Sequence, residues 1–315
     1  MNNRRSFITG IKSTTLSFKE KKFLHKYKPW GIILFSRNIK TLKQTKKLTD
    51  QIKKVFKDKN YPILIDQEGG RVNRLKIFFN AEPLTAEFFG KLYINDKKKF
   101  FHYYKIFVDQ TSFLLKSIGV NINTVPVLDI RSKGSSSIIG DRSFSVKAKI
   151  VSKIGDICIN LFHSKKIATV IKHIPGHGLA KVDSHKSTPI IKKNLEYLKM
   201  NDFSAFKKKS SLFAMTAHII YSNIDKLNTA TQSKKVIKLI RNNIKFKNLI
   251  MSDDISMKSL KGSIKENTLK TFEAGCDLVL HCNGDYEEMN KVAIHSPLIS
   301  KFIIKKTSQF YRIIS

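Results

Sequence analysis

The sequence predicts a single-domain (β/α)8 barrel of the TIM type across residues 1–315. Three observations lead there. Eight short apolar runs, rich in β-branched residues, alternate with longer amphipathic stretches, which is the pattern of repeated strand–helix units. The runs are too short and too uniformly apolar for a half-exposed sheet, and suit parallel strands covered on both faces. No Pro/Gly/Ser-rich linker divides the chain, and 41% apolar residues are ample for one large core.

The predicted strands are, in order, Phe7–Thr9, Gly31–Phe35, Pro62–Ile65, Val120–Thr124, Ile167–Ile171, Leu212–Thr216, Asn248–Ser252 and Leu278–Cys282. Ser17-Phe18-Lys19-Glu20 has the form of a capping box and opens a helix to about Lys28, with Phe23 and Leu24 inward. Further helices are expected near Thr41–Lys57, Phe100–Ser117, Val146–Ser164, Leu195–Lys208, Gln232–Asn242 and Lys265–Glu273. An open doubly wound sheet is the alternative arrangement, but no GxGxxG follows the first strand. Ser132 through Ser137 reads as a surface loop.

The formal net charge is +35, from 59 Lys and Arg against 24 Asp and Glu. The lysines are dispersed from Lys12 to Lys306 rather than gathered on one element, so they read as solvated faces. Such a field steers anionic ligands toward a cleft. Nucleic-acid binding is the runner-up from another class, and no recognition motif supports it. Three cysteines at irregular spacing, Cys158, Cys276 and Cys282, make neither a disulfide framework nor a zinc pair. Arg4-Arg5-Ser6-Phe7 looks superficially like an export signal, but charged Lys19-Glu20-Lys21-Lys22 stands where an apolar stretch should be. No run approaches the ~20 apolar residues of a membrane span, so a soluble, cytoplasmic protein with no membrane partner is expected.

Polar residues cluster where strands end. Asp66 follows the third predicted strand, His173 the fifth, His218 the sixth and Asp253 the seventh. Barrel enzymes carry their chemistry at those C-terminal ends. Lys172-His173-Ile174-Pro175-Gly176-His177-Gly178, continuing through Asp183-Ser184-His185, reads as a loop because Pro and two Gly oppose a regular element. It can be a solvated loop, a metal site or an acid/base centre. No H-x-H on an early strand supports the metal. Histidine titrates nearest neutral pH, and Asp183, two residues from His185, can fix its tautomer and stabilise its protonated form. Asp253-Asp254 is either a helix N-cap or, facing an acid/base across the barrel mouth, a source of a nucleophilic carboxylate. Asp66 through Arg74 sets Asp and Arg around a Gly-Gly turn. They form a structural pair or a bidentate grip on vicinal hydroxyls.

These segments resemble the β-N-acetylhexosaminidases of glycoside hydrolase family 3, from Gly31–Asn38 through to Ala274–Asp277. The family patterns K-H-F-P-G-H-G…D-S-H, S-D-D-L-x-M and D-Q-E-G-G-R-V-x-R fall on Lys172–His185, Ser252–Met257 and Asp66–Arg74, and its Arg-Ser-Phe segment on Arg142–Phe144. Departures are Ile174 for Phe, Leu179 for a small or acidic residue, and Val146-Lys147 for Asp-Pro. The resemblance implies a retaining mechanism with Asp253 as nucleophile and His185, oriented by Asp183, as acid/base. It implies Asp66, Arg74, Arg142, Lys172 and His173 as contacts to an N-acetylglucosamine unit. The implied substrate is a small-molecule muropeptide or its sugar, in which N-acetylglucosamine is joined to 1,6-anhydro-N-acetylmuramic acid, and the setting is cytoplasmic cell-wall recycling. A monomer without metal or cofactor is expected, with its acid/base held inside the barrel.

Overall fold

The computed structural model of the chain describes residues 3–132, 134, 137–184 and 187–315. Eight parallel strands close into a barrel: β1 (Arg5–Gly10), β2 (Pro29–Leu34), β3 (Ile63–Ile65), β4 (Ile122–Asn123), β5 (Ala168–Ile174), β6 (Phe213–Thr216), β7 (Leu249–Asp254) and β8 (Leu278–His281). Neighbours in sequence are neighbours in the ring, and β1 closes it against β8 with Phe7 opposite Val279. Every predicted strand therefore exists, its bounds moved by a few residues. All six residues of β2 and all seven of β5 are buried, as covering on both faces requires.

Around the ring run α1 (Phe18–Tyr27), α2 (Leu42–Phe56), α3 (Ala86–Asn95), α4 (Lys97–Ser117), α5 (Ala148–Ser164), α6 (Leu195–Met200), α7 (Lys234–Leu239), α8 (Ile264–Ala274), α9 (Tyr286–His295) and α10 (Lys301–Ile314). The Ser17 capping box forms as its spacing predicts, and Phe23 and Leu24 are buried. Two expectations need correction. The helix over Leu195–Lys208 is only α6, because Asn201 leaves helical geometry (φ −107°, ψ −94°) and a 3-10 turn takes over at Asp202–Phe206. The loop expected from Lys172 begins only after Ile174, since Lys172 pairs with Met215 and Ile174 with Thr216 across an irregularity at His173. No helix among the described residues is long and apolar enough to cross a membrane.

The apolar interior has two compartments. One lies between strands and helices; the other fills the barrel with Ile8, Ile33, Leu64, Ile122, Val170, Met215, Met251 and Leu280. At its N-terminal end, α10 folds across the ring and closes it. Phe310 stacks edge-on against Phe213 at 5.8 Å, and the Trp30 indole donates to the Thr307 hydroxyl at 2.8 Å. Phe310 is fully buried. Phe310→Ala should therefore lower unfolding free energy by about 3–5 kcal/mol, read by circular dichroism in a denaturant titration, with catalysis unchanged at the opposite end. An unchanged midpoint would mean that the plug contributes nothing.

Candidate active site

At the C-terminal ends of the strands a cavity of about 260 Å³ opens, floored by Met215 and Leu280 from the barrel interior. Its walls bring together six residues singled out from sequence: Asp66, Arg74, Arg142, Lys172, His173 and Asp253. Arg71, Glu68 and Cys282 complete much of the lining.

One wall is a buried ionic network. After β3 the chain turns into a short antiparallel pair, Gln67–Gly69 with Val72–Asn73. Gln67 organises it, because its side-chain oxygen accepts from the Arg74 and Leu75 amides while Asn123 at the end of β4 grips its backbone on both sides. Asp66 and Glu68 are thereby aimed at cations. Asp66 accepts from Lys172 Nζ at 3.1 Å, from Arg74 at 3.3 Å and from the Thr124 hydroxyl. Glu68 takes a two-pronged bond from Arg142, 2.8 Å on each arm, and pairs with Lys172 at 2.7 Å. Burial pushes both carboxyls up, but these charges outweigh it, holding Asp66 far below the usual carboxylate range and Glu68 at about 2. Burial likewise depresses the Lys172 ammonium, and Asp66 and Glu68 more than restore it. The wall stays fully ionised through the neutral range, with fixed donors and acceptors suited to a polyhydroxylated ligand.

The second wall carries imidazoles and a carboxylate. Asp129, fully buried beyond β4, accepts from the His173 ring Nδ1 at 2.7 Å and from the backbone amides of His173 and His177. Since a carboxylate only accepts, Nδ1 of His173 carries the proton and Nε2 is the nitrogen left for the cavity. Asp253, near the end of β7, accepts from the Asp254 amide at 2.8 Å. Burial raises its carboxyl, but His173, His218 and that amide outweigh it and hold Asp253 below the usual range. Asp254 turns the other way, capping the Ser256 and Cys282 amides. One carboxylate therefore meets the cavity while its neighbour braces backbone. His218 donates from Nε2 to the Asp254 carbonyl at 3.0 Å, and burial lowers its pKa against the opposing pull of Asp253 and Asp254.

The loop after β5 begins at Pro175. Gly178 lies so close to the chain that a Cβ would stand 1.7 Å from the Ile130 carbonyl oxygen, so no larger residue fits. His177, neutral with its pKa pressed down to about 4 by burial, shares a 3.1 Å hydrogen bond with the Ser184 hydroxyl and ties the loop's far limb to its base. Asp183 lines an open cleft with Arg71, Ile138, Lys181 and Ser187. Arg71 and Ile138 also line the cavity that holds Asp253, so the two spaces adjoin. His185 lies outside the described residues.

Several participants were not singled out from sequence as site residues. Glu68 sits inside the Asp66–Arg74 segment, where only Asp66 and Arg74 drew notice. Asp129 could have been found as a lone carboxylate in the apolar run Val125–Ile130. His218 was noticed at a strand end but given no role.

The mouth of this parallel barrel joins an ionised carboxylate to a buried ionic wall, an arrangement suited to a glycosidase. The family comparison agrees, since the N-terminal domain of glycosyl hydrolase family 3 matches residues 10–305. This chain is a member of glycosyl hydrolase family 3. It is 31% identical to a beta-hexosaminidase of Nitrosospira multiformis over 95% of this chain and 86% of that one. In structure it resembles NagZ from Neisseria gonorrhoeae in complex with N-trifluoroacetyl-D-glucosamine (TM-score 0.88, 27% identity, 99% of this chain and 90% of that one). The same Neisseria gonorrhoeae protein in complex with a zinc ion matches at TM-score 0.84, with 27% identity over 99% and 90% of the two chains.

Proposed function

We propose that residues 1–315 form one catalytic domain, a retaining β-N-acetylglucosaminidase acting as a cytoplasmic monomer in cell-wall recycling. Its substrate is N-acetylglucosamine β-1,4-linked to 1,6-anhydro-N-acetylmuramic acid, with or without the attached peptide. The observation that carries the reading is Asp253, an ionised carboxylate facing a sugar-sized cavity beside the wall of Asp66, Arg74, Arg142 and Lys172.

The wall would hold the sugar hydroxyls, with Asp66 accepting and Lys172, Arg74 and Arg142 donating, and His173 adding Nε2. Asp253 attacks the anomeric carbon while His185 gives its proton to the departing oxygen, and Asp183 steadies the imidazolium. A covalent glycosyl-Asp253 ester results. Water then enters, His185 removes its proton, and attack at the anomeric carbon frees Asp253 with net retention. The His–Asp dyad stands in for the second carboxylic acid usual in retaining enzymes.

The direct test is release of N-acetylglucosamine from a chromogenic N-acetyl-β-D-glucosaminide; no turnover by folded protein would overturn the reading. The same assay separates it from a metallohydrolase, which the histidine-bearing loop would also suit. Treatment with a chelator followed by dialysis should leave kcat unchanged. Activity lost to the chelator and restored by zinc would overturn the mechanism.

A further inference from the structure

The loop that carries Asp183 and His185 is pinned at its base by buried groups that the mechanism leaves unused. Gly176, second in that loop, has φ +143°, a conformation that favours glycine. Its amide donates to the His173 carbonyl at 2.8 Å, and its carbonyl accepts from the buried Tyr221 hydroxyl. Asp129 takes the next amide, that of His177, at 2.6 Å. A further contact at this corner is Asp202. Where α6 ends at Asn201 the chain turns inward and leaves Asp202 only 3% exposed. Its side chain packs so closely on Gly176 that a Cβ there would stand 2.8 Å from the Asp202 Cβ and 3.2 Å from its Oδ1. That Oδ1 is buried and accepts no hydrogen bond among the described residues.

We infer that Asp202 is a positioning residue for catalysis, which holds the acid/base loop in its working pose by seating an uncharged carboxyl against Gly176. The inference rests on reading Asp183 and His185 as the acid/base. Burial, with the Asp129 carboxylate nearby, pushes the Asp202 carboxyl up to about 7. Below that pH the group is neutral and the packing tolerates it. Above it a second negative charge is buried near Asp129 without a cation, and the contact with Gly176 is the one that gives way. Tyr221, which also faces Asp202, keeps its proton, because burial pushes its hydroxyl well up. Charges on the other elements packed around this turn have partners or solvent of their own. On β5, Lys172 pairs with Asp66 and Glu68, and His173 with Asp129. On α5, Asp156 pairs with Lys209, His163 bonds the Thr169 hydroxyl, and Lys149 and Lys153 are exposed. Arg241, in the turn Ile240–Ile244, pairs with Asp277; on α6, Glu196 is exposed and Lys199 partly so.

The test compares Asp202→Asn, which keeps the shape without the charge, and Asp202→Ala with the wild type at pH 6 and pH 8. On an unactivated N-acetyl-β-glucosaminide, whose cleavage needs the proton donor, Asp202→Ala should lower kcat/KM about tenfold at pH 6, as a misplaced acid group allows. Asp202→Asn should restore it. On the dinitrophenyl glycoside, which needs little protonation, neither variant should change kcat/KM. At pH 8 only about a tenth of the wild-type carboxyl is neutral. The ratio of Asp202→Asn to wild type on the unactivated substrate should therefore rise about tenfold from its value at pH 6. Taking the ratio cancels the pH limb that His185 itself imposes. Hydrogen exchange of residues 175–188, corrected for the intrinsic effect of pH, should show the loop protected in Asp202→Asn at both pH values and in the wild type at pH 6 alone. A ratio that stays flat between pH 6 and pH 8, or an Ala variant that loses equally on both substrates, would overturn the positioning role. The Asn arm decides even where Asp202→Ala does not fold. A wild-type protein that cleaves neither substrate would overturn the functional reading instead. Exchange still reads the loop in that case: protection that follows the Asp202 charge supports the seating, and protection indifferent to it overturns the seating as well.

Discussion

Asp253→Asn should abolish covalent capture of a 2-fluoro sugar and reduce turnover on the order of 10⁴- to 10⁶-fold, the loss that follows removal of a nucleophile. An amide oxygen cannot attack and then leave as a carboxylate. The fold should tolerate the change, since the bond accepted from the Asp254 amide needs only an oxygen. Intact-protein mass spectrometry reads the outcome, and a trapped sugar on the variant would reverse the assignment. The wild type also has a pH signature. Only the ionised form attacks, and Asp253 is held below the usual carboxylate range. The acidic limb of kcat/KM should therefore lie below that range, with activity lost only as pH falls through the depressed value.

His185→Ala should behave otherwise. With dinitrophenolate as leaving group little protonation is needed, so the glycosyl-enzyme still forms and a burst of product appears. Hydrolysis of the intermediate is then slow because nothing removes the proton from water. Steady-state turnover should fall about 10²- to 10⁴-fold, and azide, which needs no deprotonation, should recover much of it as the glycosyl azide. Absence of a burst with the activated substrate would mean that His185 is not the proton donor.

The barrel was legible because its strands are read from a property that buried parallel strands cannot hide, largely apolar character over three to five residues. The strand ends were less so. His173 looked like loop because Pro175 and Gly176 stand two and three residues beyond it, yet β5 persists through Ile174. Helices α3, α9 and α10 escaped. Their N-caps Thr85, Asp285 and Ser300 are in place. Among site residues, Asp66, Lys172 and Asp253 were found because they follow apolar runs in motifs. Asp129 and Glu68 act by holding His173, Lys172 and Arg142, and partnerships across 44, 104 and 74 positions leave no local pattern.

The plug at the base of the barrel sets an order on the making of this protein. The hydroxyl that Trp30 bonds is 277 residues further along the chain. At roughly 5–20 residues per second, translation delivers Thr307 on the order of tens of seconds later. The β1–β8 seam waits almost as long, since Phe7 pairs with Val279. Throughout that interval the nascent chain presents an uncovered indole and two unpaired strand edges, the surfaces most open to intermolecular association. Attachment to the ribosome, with the chaperones that attend it, is when this fold is most exposed to misassembly. Pairing of β8 with β1 removes the edges, and docking of α10 covers the indole.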